Sequence, residues 1–301
     1  MDHQRAHHYS DHASHHSDHA SDHASHHSGH LSGNASDHAS DTSVADILDL
    51  DAEVLGPYLE ELTGWARSHT KAAPHTIVDV GAGTGTGTLA LARRFEAAEV
   101  IAIDQSPTML ERLRAAAAAH GIAGRLRAVQ ADLDAGWPPI GTADLAWASS
   151  SLHHVADPDR VLADVRAALN PGGLLVVVEM DAMPRFLPED VHPGLEERCR
   201  AAGARNGWNA WPDWTGHLER AGFTVAEQRV FDIDVRPAPP AANRYAHRVM
   251  SGMRNRLAEQ LSADDVAVLD RLLDPDDTEF VLRRRDLVVR GARTAWAAHR
   301  A

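Results

Sequence analysis

Apolar residues along this chain recur in two periods that take turns. A β-branched run, Ile77, Val78 and Val80, surrounds Asp79 and passes into Gly81, Gly83, Gly85 and Gly87, after which Leu89 and Leu91 continue at a helical spacing. This predicts a buried strand, a tight turn and a helix. The alternation then repeats. Val100 to Ile103 reads as a second strand ending in Asp104, and Ser106 to His120, opened by Ser-Pro, as a capped helix. Leu126 runs as a third strand towards Asp132 and Leu133, and Ala143 to Ala148 reads as a fourth. A helix over Asp159 to Leu169 is stopped by Asn170-Pro171-Gly172-Gly173, and Leu174 to Val178 reads as a fifth strand with Glu179 at its end. Upstream, Val44, Ile47, Leu48 and Leu55 mark one face of a short helix. Leu59, Leu62 and Trp65, behind Pro57, mark a second. Downstream, Gly222 to Val235 predicts a long sixth strand, Ala241 to about Leu273 a helical stretch, and Asp286 to Trp296 a last strand. Strands alternating with helices predict an α/β fold around a largely parallel sheet.

The chemistry concentrates at the first turn. A strand, a glycine-rich turn and a helix N-terminus are the parts with which open parallel sheets hold a small cofactor, and Asp104 is placed to accept hydrogen bonds from ribose hydroxyls. A dinucleotide fingerprint needs glycines at relative positions one, three and six, where a pyrophosphate meets the helix. Position six after Gly81 is Thr86, and after Gly83 it is Thr88, which opposes a nucleotide-dependent oxidoreductase. The glycines fall at every second position, two residues beyond Asp79.

That acid-x-Gly-x-Gly-x-Gly loop resembles the first motif of class I S-adenosylmethionine-dependent methyltransferases, and residues 76 to 180 follow the family's order of strands and helices throughout. The resemblance is to the broad ubiquinone-biosynthesis-like and small-molecule group. It implies a Rossmann-like, seven-stranded, mostly parallel sheet with an antiparallel last strand, helices on both faces and a helical lid insertion. It implies S-adenosyl-L-methionine as cofactor, with Asp79 ordering the loop and the methionine amino group, Asp104 holding the ribose and Asp132 the adenine amino group. Gly81, Ala82, Gly83, Gly85, Gln105, Met109, Leu133 and Ser149 are the further cofactor positions carried over. The segment Ser149 to Pro158 is similar to the loop that lies beside the transferable methyl. His153 or His154 could take a proton from an oxygen or nitrogen acceptor; packing beside the pocket is their other reading. In such families helices before the first strand cover the cofactor, so Tyr58 could touch ligand or simply pack.

Composition constrains the rest. The chain has 301 residues, 44% hydrophobic and 24% charged, enough for one large α/β domain with additions. Its single cysteine, Cys199, excludes an intramolecular disulfide framework and suits a reducing, cytoplasmic compartment. No apolar run of about 18 residues predicts a membrane span. A formal charge of -14 opposes nucleic acid as principal partner, with Arg283, Arg284, Arg285 and Arg290 as a counter-signal. A small-molecule acceptor is the partner expected.

The first 43 residues differ in kind. Twelve of the first forty are histidine, and an eleven-residue unit at 11 to 21 recurs at 22 to 32. So polar a segment cannot bury a core and is expected to be a disordered leader, with the methyltransferase domain over 44 to 301. Within that domain 44 to 75 is expected to form N-terminal helices, 76 to 180 the cofactor core, and 181 to 221 and 241 to 285 helical, substrate-covering additions. His12, His16, His19 and His23 are spaced four and three apart, so a helical leader would stack them for zinc or nickel. Trp208, Trp211 and Trp214 suit either a flat apolar acceptor or packing of the insertion. Two alternatives to transfer chemistry remain: a regulatory protein that binds the cofactor without using it, and a metal-binding protein acting through the leader.

Overall fold

The computed structural model describes residues 33–205 and 213–301, with side chains described from 42 onward. Seven strands form one sheet: β1 (Thr76–Val80), β2 (Glu99–Asp104), β3 (Leu126–Gln130), β4 (Ala143–Ser149), β5 (Leu169–Met180), β6 (Phe223–Val235) and β7 (Val289–Arg300). Their order is β3-β2-β1-β4-β5-β7-β6. The first five are parallel, and β7 inserts antiparallel between β5 and β6. This is the Rossmann-like sheet expected. Its central strands are buried on both faces, which is why they read as continuous apolar runs rather than alternating ones.

Two apolar layers hold the helices. On one face, Ile77, Val100, Leu145, Val176 and Ala297 meet side chains from α1 (Gly33–Val54), α2 (Gly56–Ser68), α3 (Thr86–Arg94), α6 (Leu195–Arg205), α8 (Ala241–Leu257) and α9 (Ala263–Leu273). α4 (Pro107–Ala119) adds Ala117 to this layer and packs Leu113 on Ala102. On the other face, Val78, Ile101, Ala146, Val177 and Trp296 meet α5 (Pro158–Ala168) and α7 (Thr215–Arg220).

Several boundaries differ from expectation, each for a local reason. α1 starts at Gly33, not Val44, so its first turns fall in the stretch expected to be leader. Residues 1–32, including His12, His16, His19 and His23, lie outside the described residues. Among the described residues no group of three or more His, Cys, Asp or Glu could hold a metal ion. The helical stretch after β6 is two helices, because Ser262 restarts the chain as a cap, its Oγ accepting the Asp265 N–H at 3.1 Å. The Asn-Pro-Gly-Gly segment ends α5 but belongs to β5, where a bulge between Ala143 and Leu145 absorbs the extra residues. The last strand begins at Val289; just before it the Val288 N–H donates to the Phe186 carbonyl at 3.0 Å, outside the sheet ladder. Arg290 is engaged with Glu189 at 2.7 Å. No helix among the described residues is long and apolar enough to cross a membrane.

Two of the aromatic residues singled out in the sequence are buried in the fold. Tyr58 meets Phe231 edge-on with ring centres 6.0 Å apart. Trp214 is 1% exposed and fills the α5–α7 layer with Leu218, Phe223 and Trp296. Trp208 and Trp211 lie outside the described residues. Trp214→Ala is therefore expected to cost about 3–5 kcal/mol, as large aromatic truncations in a core do, seen as a lower denaturant midpoint with unchanged slope.

Candidate active site

The strand order reverses between β1 and β4, and a crevice opens at the C-terminal ends of these strands. The glycine loop lies there. Gly81, Gly83 and Gly85 have φ of 74°, 53° and 95°, backbone that side-chain-bearing residues rarely adopt. The N–H groups of Gly81 and Ala82 both donate to the Ile103 carbonyl at 2.9 Å, which ties the loop to β2. A Cβ at Gly81 would lie 2.4 Å from that of Ser151, so glycine is also needed for close approach. Asp79 sits beneath the loop, 2% exposed, accepting the Thr88 hydroxyl at 2.6 Å. Burial raises its pKa to about 7, against the opposing pull of the Thr88 hydrogen bond.

Asp104 ends β2 with its carboxylate anchored on both sides. Oδ2 accepts the Gly83 N–H at 2.8 Å, and Oδ1 accepts the Ser106 N–H at 2.9 Å. Ser106 then caps α4, its Oγ accepting from Met109 at 3.3 Å. Beyond β3, Asp132 accepts the Asp134 N–H at 2.9 Å, and Asp134 accepts that of Ala156 at 2.9 Å, which links the loops after β3 and β4.

A cavity of about 350 Å³ lies among these groups. Gly81, Gly83, Asp104, Gln105, Met109, Asp132, Leu133 and His154 line it, as the motifs suggested. Five other expected positions do not. Asp79 is below the loop, Ala82 packs with Ala102 and Leu113, Gly85 abuts Leu113, Ser149 stays in β4 opposite Val178, and His153 turns to Glu179. Ser150 and Ser151, from the loop expected beside the methyl, also line the cavity, whereas Val44 and Leu48 of α1 and Asp134 were not among the expected positions. The helical stripe carrying Leu48 was visible, but its docking site was not. Ser150 has φ 52°, strained for a residue with a side chain, and its buried Oγ has no hydrogen-bond partner among the described residues.

Beside the cavity, His153 Nδ1 lies 2.7 Å from Glu179 Oε2. Glu179 is 1% exposed, and its other oxygen is buried without a partner among the described residues. The His153 and His154 rings are 4.0 Å apart; burial first, and then His153, pull the His154 pKa down.

A family profile described as "Methyltransferase domain" matches residues 77–173, the stretch that builds β1 to β4, the start of β5 and most of the loops around the cavity. A trans-aconitate 2-methyltransferase of Methylobacterium radiotolerans is 32% identical over 210 residues, covering 69% of this chain and 73% of that protein. The chain belongs to the class I S-adenosylmethionine-dependent methyltransferases. A demethylmenaquinone methyltransferase of Thermus thermophilus is 35% identical over 38% of this chain and 50% of its own length. A malonyl-[acyl-carrier protein] O-methyltransferase of Halorhodospira halophila is 31% identical over 49% of this chain and 45% of its own. The chain thus spans about half the length of these last two relatives.

The site fits that cofactor. S-adenosylmethionine has no phosphate to be neutralised, and the cradle offers bare backbone and carboxylates rather than cations. Gly81→Ala in this methyltransferase is expected to drive Cβ into Ser151 and weaken S-adenosylhomocysteine binding at least tenfold in calorimetry. The Asp79 pKa, raised from 3.8 to about 7, makes its folded form prefer the proton. Its contribution to stability is full below about pH 4 and is lost as pH rises through about 7. Asp79→Asn, which cannot ionise, is expected to gain in melting temperature relative to the parent between about pH 5 and pH 8; parallel curves would refute this.

Proposed function

We propose that this methyltransferase moves the methyl group of S-adenosylmethionine onto an oxygen or nitrogen of a small organic acceptor, with His153 receiving the acceptor's proton. The observation that carries this reading is the His153–Glu179 pair, next in the chain to His154, which lines the cavity. Glu179 accepts the Nδ1 proton, fixing the tautomer whose Nε2 is basic, and its burial holds the ring in one orientation. The cofactor, when bound, supplies a methyl already made electrophilic by the sulfonium. The chain's own work is to hold the acceptor in line, keep water out and remove one proton.

In this reading Asp104 receives the ribose hydroxyls, since a carboxylate has about four lone-pair sites and the loop amides fix it in place. Asp132 receives the adenine amino group, while Gln105, Met109 and Leu133 wall the nucleoside. Asp79 acts below the cavity by ordering the loop through Thr88. A small acceptor is supported by the relatives whose names denote trans-aconitate and demethylmenaquinone as acceptors, while a third name denotes a malonyl group borne on a carrier protein. A cytoplasmic location is supported by the lone cysteine.

Calorimetry with S-adenosylhomocysteine on the full chain, followed by labelled methyl transfer to a panel of small hydroxy, amino and carboxylic acids, tests the proposal. His153→Gln is expected to lower kcat by about 10²–10⁴ with S-adenosylhomocysteine affinity retained. An unchanged kcat, or transfer to nucleic acid alone, would overturn it.

A further inference from the structure

Arg293 is a cation buried at the end of the sheet, 8% exposed, in β7 opposite Met180, the last residue of β5. Its Nη2 donates to both carboxylate oxygens of Asp51 in α1, at 2.7 and 2.9 Å. The Tyr245 hydroxyl of α8 donates to the same carboxylate at 2.7 Å. The guanidinium lies 5.4 Å from the centre of the Tyr58 ring, and the Tyr58 hydroxyl, also buried, has no hydrogen-bond partner among the described residues. One carboxylate is therefore met by a guanidinium and a phenol, with a second phenol at hand.

Attachment of α1 does not require this arrangement. α1 already buries Leu50 and Val54, and at its surface Arg112 pairs with Asp46 and Asp49, Arg248 with Asp46, and Arg244 with Glu53. A buried ion pair is a costly way to add one more contact, because both charges must leave water and apolar side chains of the same volume would serve as well or better. A guanidinium flanked by aromatic hydroxyls is, by contrast, well matched to recognising a planar carboxylate.

Position gives the arrangement its meaning. Asp51 is three residues from Leu48, which lines the cofactor cavity, so less than one helical turn separates the two. Thr294, next to Arg293 in β7, stands opposite Glu179, which holds His153, so the two pairs meet the same strand end from opposite faces of the sheet. The space beside the ion pair, bounded by Met180, Ala182, Pro184 and Tyr245, is only about 10 Å³, so an acceptor group enters only as Asp51 leaves.

We propose that Arg293, with Tyr58 and Tyr245, anchors a carboxylate of the acceptor, and that Asp51 occupies this anchor from α1 when no acceptor is bound. The proposal rests on the methyl-transfer reading and adds a substrate class to it, a small carboxylic acid. Exchange of one carboxylate for another keeps the buried guanidinium compensated in both states. It releases α1 from the sheet end while the Arg112, Arg244 and Arg248 pairs still tether it.

The test uses malonate as probe, titrated by calorimetry into the full chain saturated with S-adenosylhomocysteine, with dimethyl malonate as the uncharged control. Asp51→Asn removes the internal competitor's charge and is expected to tighten malonate binding at least tenfold over the parent, with no gain for the diester. Arg293→Gln is expected to abolish malonate binding. The double variant Asp51→Asn/Arg293→Gln removes both buried charges together, so it keeps the test open should the single arginine variant fail to fold, and it too is expected to lose malonate binding. S-adenosylhomocysteine affinity is expected to stay within about threefold in every folded variant. Equal malonate affinity in the parent, Asp51→Asn and the double variant overturns the proposal. Absence of S-adenosylhomocysteine binding in the parent would instead overturn the cofactor reading beneath it.

Discussion

The rest of the site depends on the two amides that hold the glycine loop against β2. The Gly81 and Ala82 N–H groups share the Ile103 carbonyl, and the Asp104 carboxylate, one residue further on, takes the Gly83 N–H. Three consecutive donors of an otherwise irregular loop are thereby satisfied by one strand end. The loop can follow that path only because its alternate residues carry no Cβ, Gly81 being pressed on Ser151 and Gly85 on Leu113. Close approach and left-handed backbone are two separate reasons for glycine, and both act within five residues. The same contacts orient Asp104 at the mouth of the cavity, so the order of the loop and the chemistry of the cofactor site have one physical origin.

Buried ionisable groups are handled in different ways according to their neighbours. Asp79 has a hydroxyl and no cation, and its carboxyl is pushed towards the neutral form. Glu196, far from the cofactor, is also raised by burial, but the Phe186 and Leu187 amides, at 2.6 and 3.2 Å, act against the shift. Arg293 keeps its proton in spite of burial because Asp51 faces it. Glu179 holds His153 through one oxygen, while the other is buried without a partner among the described residues.

α1 joins these features. Its apolar residues complete the layer over the sheet, Leu48 reaches to 3.0 Å from where a Cβ of Gly83 would stand, and Asp51 meets Arg293. One helix thus covers the cofactor cavity and neutralises the cation at the sheet end. Four arginines from α4, α8 and β7 converge on its acids, a charge arrangement that holds the cover in place chiefly by contacts near the surface.

Local pattern was enough for the strands from β1 to β4 and the centre of β5, the capped helix after Ser106 and the carboxylates at and just beyond the ends of β2 and β3, because period, cap residues and glycine spacing are properties of neighbouring residues. It was also enough to separate a sulfonium nucleoside from a dinucleotide, since the positions of glycines within one turn decide whether a pyrophosphate can reach the helix. What local pattern could not supply were contacts made across long stretches of chain. Asp51 and Arg293 stand 242 residues apart, His153 and Glu179 26, and nothing in the spacing of either pair marks the partners. That Asp79 would lie below the cavity, and that His154 would line it while His153 turned away, depended on which face of each strand end the packed layers left open. The sequence by itself determined the cofactor loop, because a turn is a short-range object. Only the tertiary structure decided the cover and the buried ion pair, because those exist where distant elements meet.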